Sequence, residues 1–306
     1  MAESPITAAP PAAKPRPKGG KTGTAHFDVA TLAGIALALA GILGGLLLER
    51  GSIQDVVQTT AAMIVFGGTF GAVLVTTPMP VFRRALQGLK AVFFAPDEAI
   101  ASRIESLIEF ATKARRYGIV SLETEAAGLP DPFLRKAMGL AVDGTDLAEL
   151  RKIMEIDIAL AEQAGEAEAR VWEAAGGYAP TVGIIGAVMG LIQVMKHLED
   201  IKAVGHGIAV AFVATVYGVG SANIFFLPAA NKLRARHHAT TLLNEATLEG
   251  VVGIVEGLNP TLLRTKLSSF GSPEAAPAKA RPAKAPSRAP RAPAAAAPAR
   301  AGAPQP

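Results

Sequence analysis

The stretch GGYAPTVGIIGAVMGLIQV, Gly176 to Val194, is uncharged and apolar enough to cross a bilayer, yet Pro180 sits near its start and glycines recur through it. A hydrocarbon core of about 30 Å takes roughly 18 to 20 residues of helix. Four runs approach or exceed that length: Phe27 to Leu48, Val56 to Val75, Tyr178 to Met195 and Gly207 to Leu227. Half of the 306 residues are hydrophobic and 18% are charged, and the apolar ones are gathered into these runs instead of being spread at helix or strand spacing. The fold class expected is an all-α membrane protein with four transmembrane helices. The first run is too long, and too deep behind a Pro-rich tail, for a cleaved signal peptide. The chain has no cysteine, which excludes disulfides and thiolate metal sites.

Basic residues mark the cytoplasmic side. Lys14, Arg16, Lys18 and Lys21 precede helix one, Arg83, Arg84 and Lys90 follow helix two, and Lys232, Arg234 and Arg236 follow helix four. Both termini and the long middle segment are therefore expected inside, with two short outer loops, Glu49 to Asp55 and Lys196 to His206. Residues 81–177 carry 16 Asp/Glu against 12 Lys/Arg, net −4, whereas both tails are basic. Nucleic-acid binding needs basic charge gathered on a folded face, so none is expected.

The chain divides into a basic Pro/Ala-rich tail (1–25), the first two spans (26–78), a helical cytoplasmic insert (79–177), the last two spans (178–231), a helical C-terminal segment (232–270) and an Ala/Pro/Lys/Arg tail (271–306). The tails hold almost no large apolar side chain and are expected to be disordered. Within the insert, Ile100, Ile104, Leu107, Ile108 and Ala111 repeat at helical spacing, with Asp97 as N-cap and Gly118 as stop. A short helix follows from Ser121 to Ala127, and Asp131-Pro132 opens another that ends at Asp143-Gly144. Asp146 with Glu149 resembles a capping box. The stripe Leu147, Leu150, Met154, Ile158 and Ala161 then runs on with no strong stop before Tyr178, so this helix is expected to rise directly into span three.

Small residues recur four apart in every span, at Gly41 and Gly45, Gly67 and Gly71, Gly186 and Gly190, and Ala214 and Gly218. Helices in lipid pack through such close approaches. Spans three and four contain no Asp, Glu, Lys, Arg or His at depth, where proton relays place them. If this chain takes part in ion translocation, the carboxylate must arrive on another polypeptide. Asn223 is costlier to bury and is expected at a contact between helices or near the inner interface. What the spans offer besides is a sparse set of hydroxyls, Thr181, Thr215 and Tyr217. Threonine in a membrane helix usually bonds its own i−4 carbonyl, so these are candidates for a pathway lining and no more. Pro180 removes a hydrogen bond inside a continuous helix, and Pro228 stands at the cytoplasmic end of span four. The two are expected at one membrane depth, as a fixed bend or a helix end, or as a hinge. No Walker loop, HExxH or CxxC occurs, and Gly218-x-Gly220 lies inside an apolar helix, so no enzyme, cofactor or metal is expected.

The segments GILGGLLLERG, IVFGGTFGAVLVTTP, APTVGIIGAVMGLIQVM and GIAVAFVATVYGVGSANIFFLPAANKL, in this order and with a cytoplasmic insert between the second and third, resemble the flagellar stator subunits MotA and PomA of the MotA/TolQ/ExbB group. The resemblance implies a ring of five such subunits around two MotB-type chains, whose single membrane helix supplies the ion-binding aspartate and whose far end grips peptidoglycan in the bacterial inner membrane. It implies that spans three and four face that partner and that Pro180 and Pro228 couple protonation to cytoplasmic movement. In the insert, KARRYGIVSLETE supplies Arg115 or Arg116 and, after the family spacing, Glu123 and Glu125, where the family meets the rotor protein FliG. Sodium-type members have threonine in both spans three and four. Here Ala187 and Thr215 stand at those positions, which implies protons, because a methyl group cannot ligate a metal cation. The alternative is a TolQ or ExbB subunit energising outer-membrane processes; those have three spans and an outside N-terminus. An inert scaffold and a solute transporter are further off, since no inverted repeat is present.

Overall fold

A computed structural model describes residues 26–95 and 100–271. The expected disordered tails and the Asp97 cap lie outside them. Eleven α-helices order the described chain: α1 (Val29–Leu48), α2 (Ile53–Val56), α3 (Thr59–Thr76), α4 (Met79–Phe93), α5 (Ile100–Tyr117), α6 (Glu123–Ala127), α7 (Pro132–Val142), α8 (Leu147–Lys196), α9 (Ile201–Ser221), α10 (Leu227–Val255) and α11 (Pro260–Ser268). One departure from the all-α expectation is a short antiparallel pair, β1 (His26–Phe27) with β2 (Phe94–Ala95).

Four helices are long and apolar enough to cross a membrane: α1, α3, α8 and the continuous run Ile201–Val255. The capping signals of the sequence appear as hydrogen bonds. Asp131 accepts from the Phe133 amide at 3.0 Å and Asp146 from the Ala148 amide at 2.9 Å, starting α7 and α8. Gly118 and Gly144, both at positive φ, end the helices before them, where a side chain would be strained. With no stop before the membrane, α8 runs for 50 residues, about 75 Å at 1.5 Å per residue.

The helix that holds span four does not end at Pro228 but runs on through it. Ala222–Phe226 form a single π-helical turn, after which α10 continues for 29 residues. Proline lacks the amide that would bond back four residues, and widening the preceding turn lets the helix pass it unbroken. A second helix that sequence reading left unresolved is α4, which follows α3 closely and buries Ala85 and Val92. The Trp172 indole N–H donates to the Ala85 carbonyl at 3.2 Å, fixing α4 against α8.

Three apolar clusters stack along this frame. The distal one joins α5, α6, α7 and the N-terminal half of α8 to α10 and α11 through Leu107, Met138, Leu150, Met154, Val251 and Leu263. The middle one gathers Val73, Trp172, Phe226 and Leu233. The third joins two of the apolar helices, from Ala61 and Val65 of α3 to Val210, Val213 and Ala214 of α9. In contrast, no residue of α1 is buried.

The base of α1 is nevertheless held. Asp28 caps it, accepting from the Thr31 amide at 3.2 Å, and its other oxygen meets the Lys232 ammonium at 2.6 Å and the Arg236 guanidinium at 2.8 Å. Arg236 also donates to the Phe94 carbonyl, so one guanidinium joins α1, the end of α4 and α10. The Lys232 hydrogen bond, the Thr31 amide and both cationic charges hold the Asp28 carboxyl down to about 2, so it stays ionised through the physiological range. The two basic partners of Asp28 lie more than 200 positions away along the chain.

Candidate functional site

Helices α8 and α9 form an antiparallel hairpin whose backbones nearly touch. A Cβ placed on Gly218 would lie 2.5 Å from the Ala179 carbonyl oxygen; on Gly183, 2.9 Å from the Ala214 oxygen; on Gly190, 2.7 Å from the Gly207 oxygen. Glycine is required here because the obstacle is backbone, which has no rotamer to change. The pairs Gly41/Gly45 and Gly67/Gly71 behave differently: a Cβ at any of them meets nothing within 4 Å. The four small-residue pairs thus fall into two classes. Those of spans three and four close the hairpin within the chain, and those of α1 and α3 present open faces.

Pro180 lies inside the uninterrupted α8, half-buried, beside Ala179 where that residue meets Gly218. Pro228 is displaced from it toward the distal end, because Leu227 meets Gly176 and Phe226 stacks on Trp172 with ring centroids 6.2 Å apart. The prolines are staggered by more than a helical turn, which corrects the expectation that they share one depth. What lies across from Pro180 is the entry to the π turn. Two helical irregularities therefore face each other on adjoining helices. Beyond them Arg234 clamps Glu166 at 3.0 Å and Glu173 at 2.8 Å, tying α10 to α8.

The hydroxyls separate in role. The Thr215 hydroxyl donates to the Ala211 carbonyl at 3.3 Å and that of Thr181 to the Tyr178 carbonyl at 2.7 Å, each within its own helix. Asn223 likewise donates to the Val219 carbonyl at 2.9 Å. Tyr217 reaches away from α8: its hydroxyl donates to the Val56 carbonyl at 2.7 Å and accepts from the Gln58 amide at 3.3 Å, and its ring stacks on Phe66. It anchors the start of α3. Ala187 is half-buried on α8, between exposed Ile184, Val188 and Leu191 and buried Gly186 and Gly190.

In the distal cluster α5 ends in exposed Arg115 and Arg116, and α6 begins with exposed Glu123. Among the described residues these three form no ion pair. Glu125 differs, since Lys113 holds it at 2.8 Å while also meeting Glu109 at 2.9 Å. The bonds to Glu125 and Glu109 push the Lys113 ammonium above its usual range. Position 125 is thus committed internally, whereas Arg115 and Glu123 remain available at the surface. Leu122 is buried in the same core as Leu150 and Met154 of α8, so this surface is bolted to the helix that carries Pro180.

Residues 32–118 match the family model for the N-terminal part of motility protein A, and residues 125–246 match that of the MotA/TolQ/ExbB proton channel family. The chain is 34% identical over 247 residues to motility protein A of Helicobacter pylori, which covers 81% of this chain and 96% of that protein. The chain belongs to the MotA/TolQ/ExbB proton channel family. Within it the motility branch is marked by the N-terminal match and by further relatives: motility protein A of Bacillus subtilis, 33% identical over 80% of this chain and 91% of that one, and PomA of Vibrio alginolyticus, 34% identical over 80% and 95%.

Solved members of the family share the fold. A chain of the C. jejuni MotAB structure superposes with a TM-score of 0.77 at 34% identity, covering 81% of this chain and 97% of its own. A chain of the Bacillus subtilis MotAB stator complex gives 0.74 at 30% identity. The α8–α9 hairpin of this MotA/TolQ/ExbB member lies within the residues matched to the proton channel model, and Arg115 and Arg116 within those matched to the N-terminal model.

Proposed function

We propose that this chain is the channel-sleeve subunit of a bacterial flagellar stator, which with a MotB-type partner couples proton flow to rotation of the rotor. The observation that carries the reading is a membrane hairpin built for close helix packing and without an ionisable group at depth, on a fold shared with MotAB stators. The titrating carboxylate then belongs to the partner. Its single helix would run along the exposed faces of α8 and α9, where Ile184, Val188, Phe212 and Val216 stand uncovered beside Ala187 and Thr215. Alanine at 187 offers a passing metal cation no oxygen, which favours protons.

In the topology proposed, α1, α3, the second half of α8 and α9 cross the inner membrane, both termini lie inside, and α4 to α7 with α10 and α11 form the cytoplasmic part. The outward-facing glycines of α1 and α3 suit contacts between copies, consistent with a ring of five around two partners. Protonation of the partner's acid would shift the hairpin at Pro180 and the π turn before Pro228, and α8 would carry the movement about 50 Å to the distal cluster. There Arg115 and Glu123 would meet complementary charges on the rotor protein FliG. Exposed pairs of this kind contribute about 0 to 1 kcal/mol each, which suits contacts that must be remade at every step.

Deleting the chain is expected to abolish rotation while flagellar filaments still assemble; absent filaments would instead assign it to assembly. Arg115→Glu is expected to reduce torque without changing the amount of membrane-inserted protein, and a charge reversal on the rotor side to restore part of it. Torque that is unaffected by Arg115→Glu would remove this residue from the contact.

A further inference from the structure

We infer that the outer face of α4 is a recognition surface for anionic phospholipid headgroups of the inner leaflet. This rests on the orientation given above, in which α4 follows span two on the cytoplasmic side. The buried side of α4 is fixed by Ala85 and Val92 against Trp172, Phe226 and Leu233. That leaves Met79, Arg83, Leu86 and Lys90 along one outward stripe, at intervals of four, three and four, with Arg84 and Gln87 beside it. Met79 is 50% and Leu86 45% exposed, so apolar side chains stand on the outward face between the basic ones, able to meet the acyl boundary below the headgroups.

The charge on this stripe is uncompensated. Among the described residues Arg83, Arg84 and Lys90 form no ion pair. The other basic group near the inner boundary behaves otherwise: Lys232 and Arg236 are bound by Asp28, and Arg234 by Glu166 and Glu173. Three free cations within eight residues therefore face outward from a helix that begins three residues after the end of α3. Phosphate groups of acidic lipids complement them, with guanidinium forks giving directional hydrogen bonds.

A groove of about 320 Å³ opens at the far end of the same helix, between Val92 and Phe93 of α4, Gly34 and Ala38 of α1, and Ile224 and Pro228 of the π-turn region. Its lining is mostly apolar and one wall is the unburied α1. An acyl chain seated there would touch the base of α1, the end of α4 and the π turn together, beside Lys232, whose ammonium Asp28 already holds.

The absence of native cysteine allows a direct test. Gln87→Cys, labelled with a fluorophore, is reconstituted as the full chain in phosphatidylcholine vesicles containing either brominated phosphatidylglycerol or brominated phosphatidylcholine at equal fraction. Stronger quenching by the glycerol lipid is expected, weakening as salt is raised. Replacing Arg83, Arg84 and Lys90 with Gln should remove that preference by about fivefold for each charge lost, while the swaps Arg83→Lys, Arg84→Lys and Lys90→Arg should keep most of it. Equal quenching by both lipids in the unmodified stripe, or a preference untouched by the glutamine changes, would overturn the inference. Labelling of Gln87→Cys in intact cells by an impermeant maleimide reports orientation separately. Reaction before lysis would sink the topology, whereas an inward Cys with no lipid preference would sink only the lipid claim.

Discussion

Gly218→Leu is expected to prevent the α8–α9 hairpin from closing and to deplete the chain from the membrane. The nearest obstacles to a side chain there are the Ala179 carbonyl at 2.5 Å and the Gly183 Cα at 3.1 Å, both backbone atoms of the facing helix. The helices can admit leucine only by separating, which also undoes the Gly186–Ala214 and Gly190–Ala211 contacts. Overpacking of ordinary side-chain cores costs about 1 to 3 kcal/mol, and a backbone-to-backbone seam should lie at or above the upper end. Gly71→Leu is the matched control: a Cβ there meets nothing within 4 Å, so the isolated chain should insert and melt as before. Yield in the membrane fraction and thermal unfolding in detergent compare the two. Equal stability of both variants would mean that the hairpin is not held by this seam.

Pro180→Ala should have the opposite profile, with protein level and partner binding retained and rotation lost. Alanine restores the amide that proline lacks, completing the bond to the Gly176 carbonyl and removing a helix-interior penalty of about 3 kcal/mol. The static molecule should become no less stable. The motor should suffer, because α8 would then pass through the membrane as an unbroken rod facing the π turn. Torque measured on tethered cells should fall sharply at unchanged stator abundance. Normal torque would eliminate the hinge at this position and leave Pro180 as a fixed bend.

Much of this architecture is written locally. The four apolar runs are contiguous stretches, and the Asp131 and Asp146 caps and the glycine stops depend on residues within about a turn of each other; each appears in the structure where its chemistry puts it. The continuity of α8 was likewise legible, because Gly177 and Pro180 together did not amount to a stop. Features set by distant partners were not. Pro228 looked like a helix end, and only the π turn, packed against Trp172, lets the helix continue. The amphipathic α4 was obscured by Pro78 and Pro80 and by basic residues that also serve as an orientation signal; its buried face is defined by Trp172, 87 positions from Ala85.

The small-residue pairs show the same limit. Spacing identified all four, but whether a pair faces its own chain or the outside depends on which helices adjoin. The Arg115 and Glu123 positions carry the family spacing, and the structure separates them from Glu125 only because Lys113 turns toward α6. Tyr217 was singled out for its hydroxyl in an apolar span, and the contact of that hydroxyl with the Val56 carbonyl, 161 positions away, could not be read from the spacing.

The most direct test is proton flux through vesicles holding the purified chain by itself, and then together with an aspartate-bearing single-span partner released from any plug. With no Asp, Glu, Lys, Arg or His at depth in the spans, the chain alone should pass no proton current above that of empty vesicles, and current should arise only with the partner and vanish when its aspartate becomes asparagine. Robust, selective conductance from the chain alone would contradict the claim that the titrating acid lies on another polypeptide.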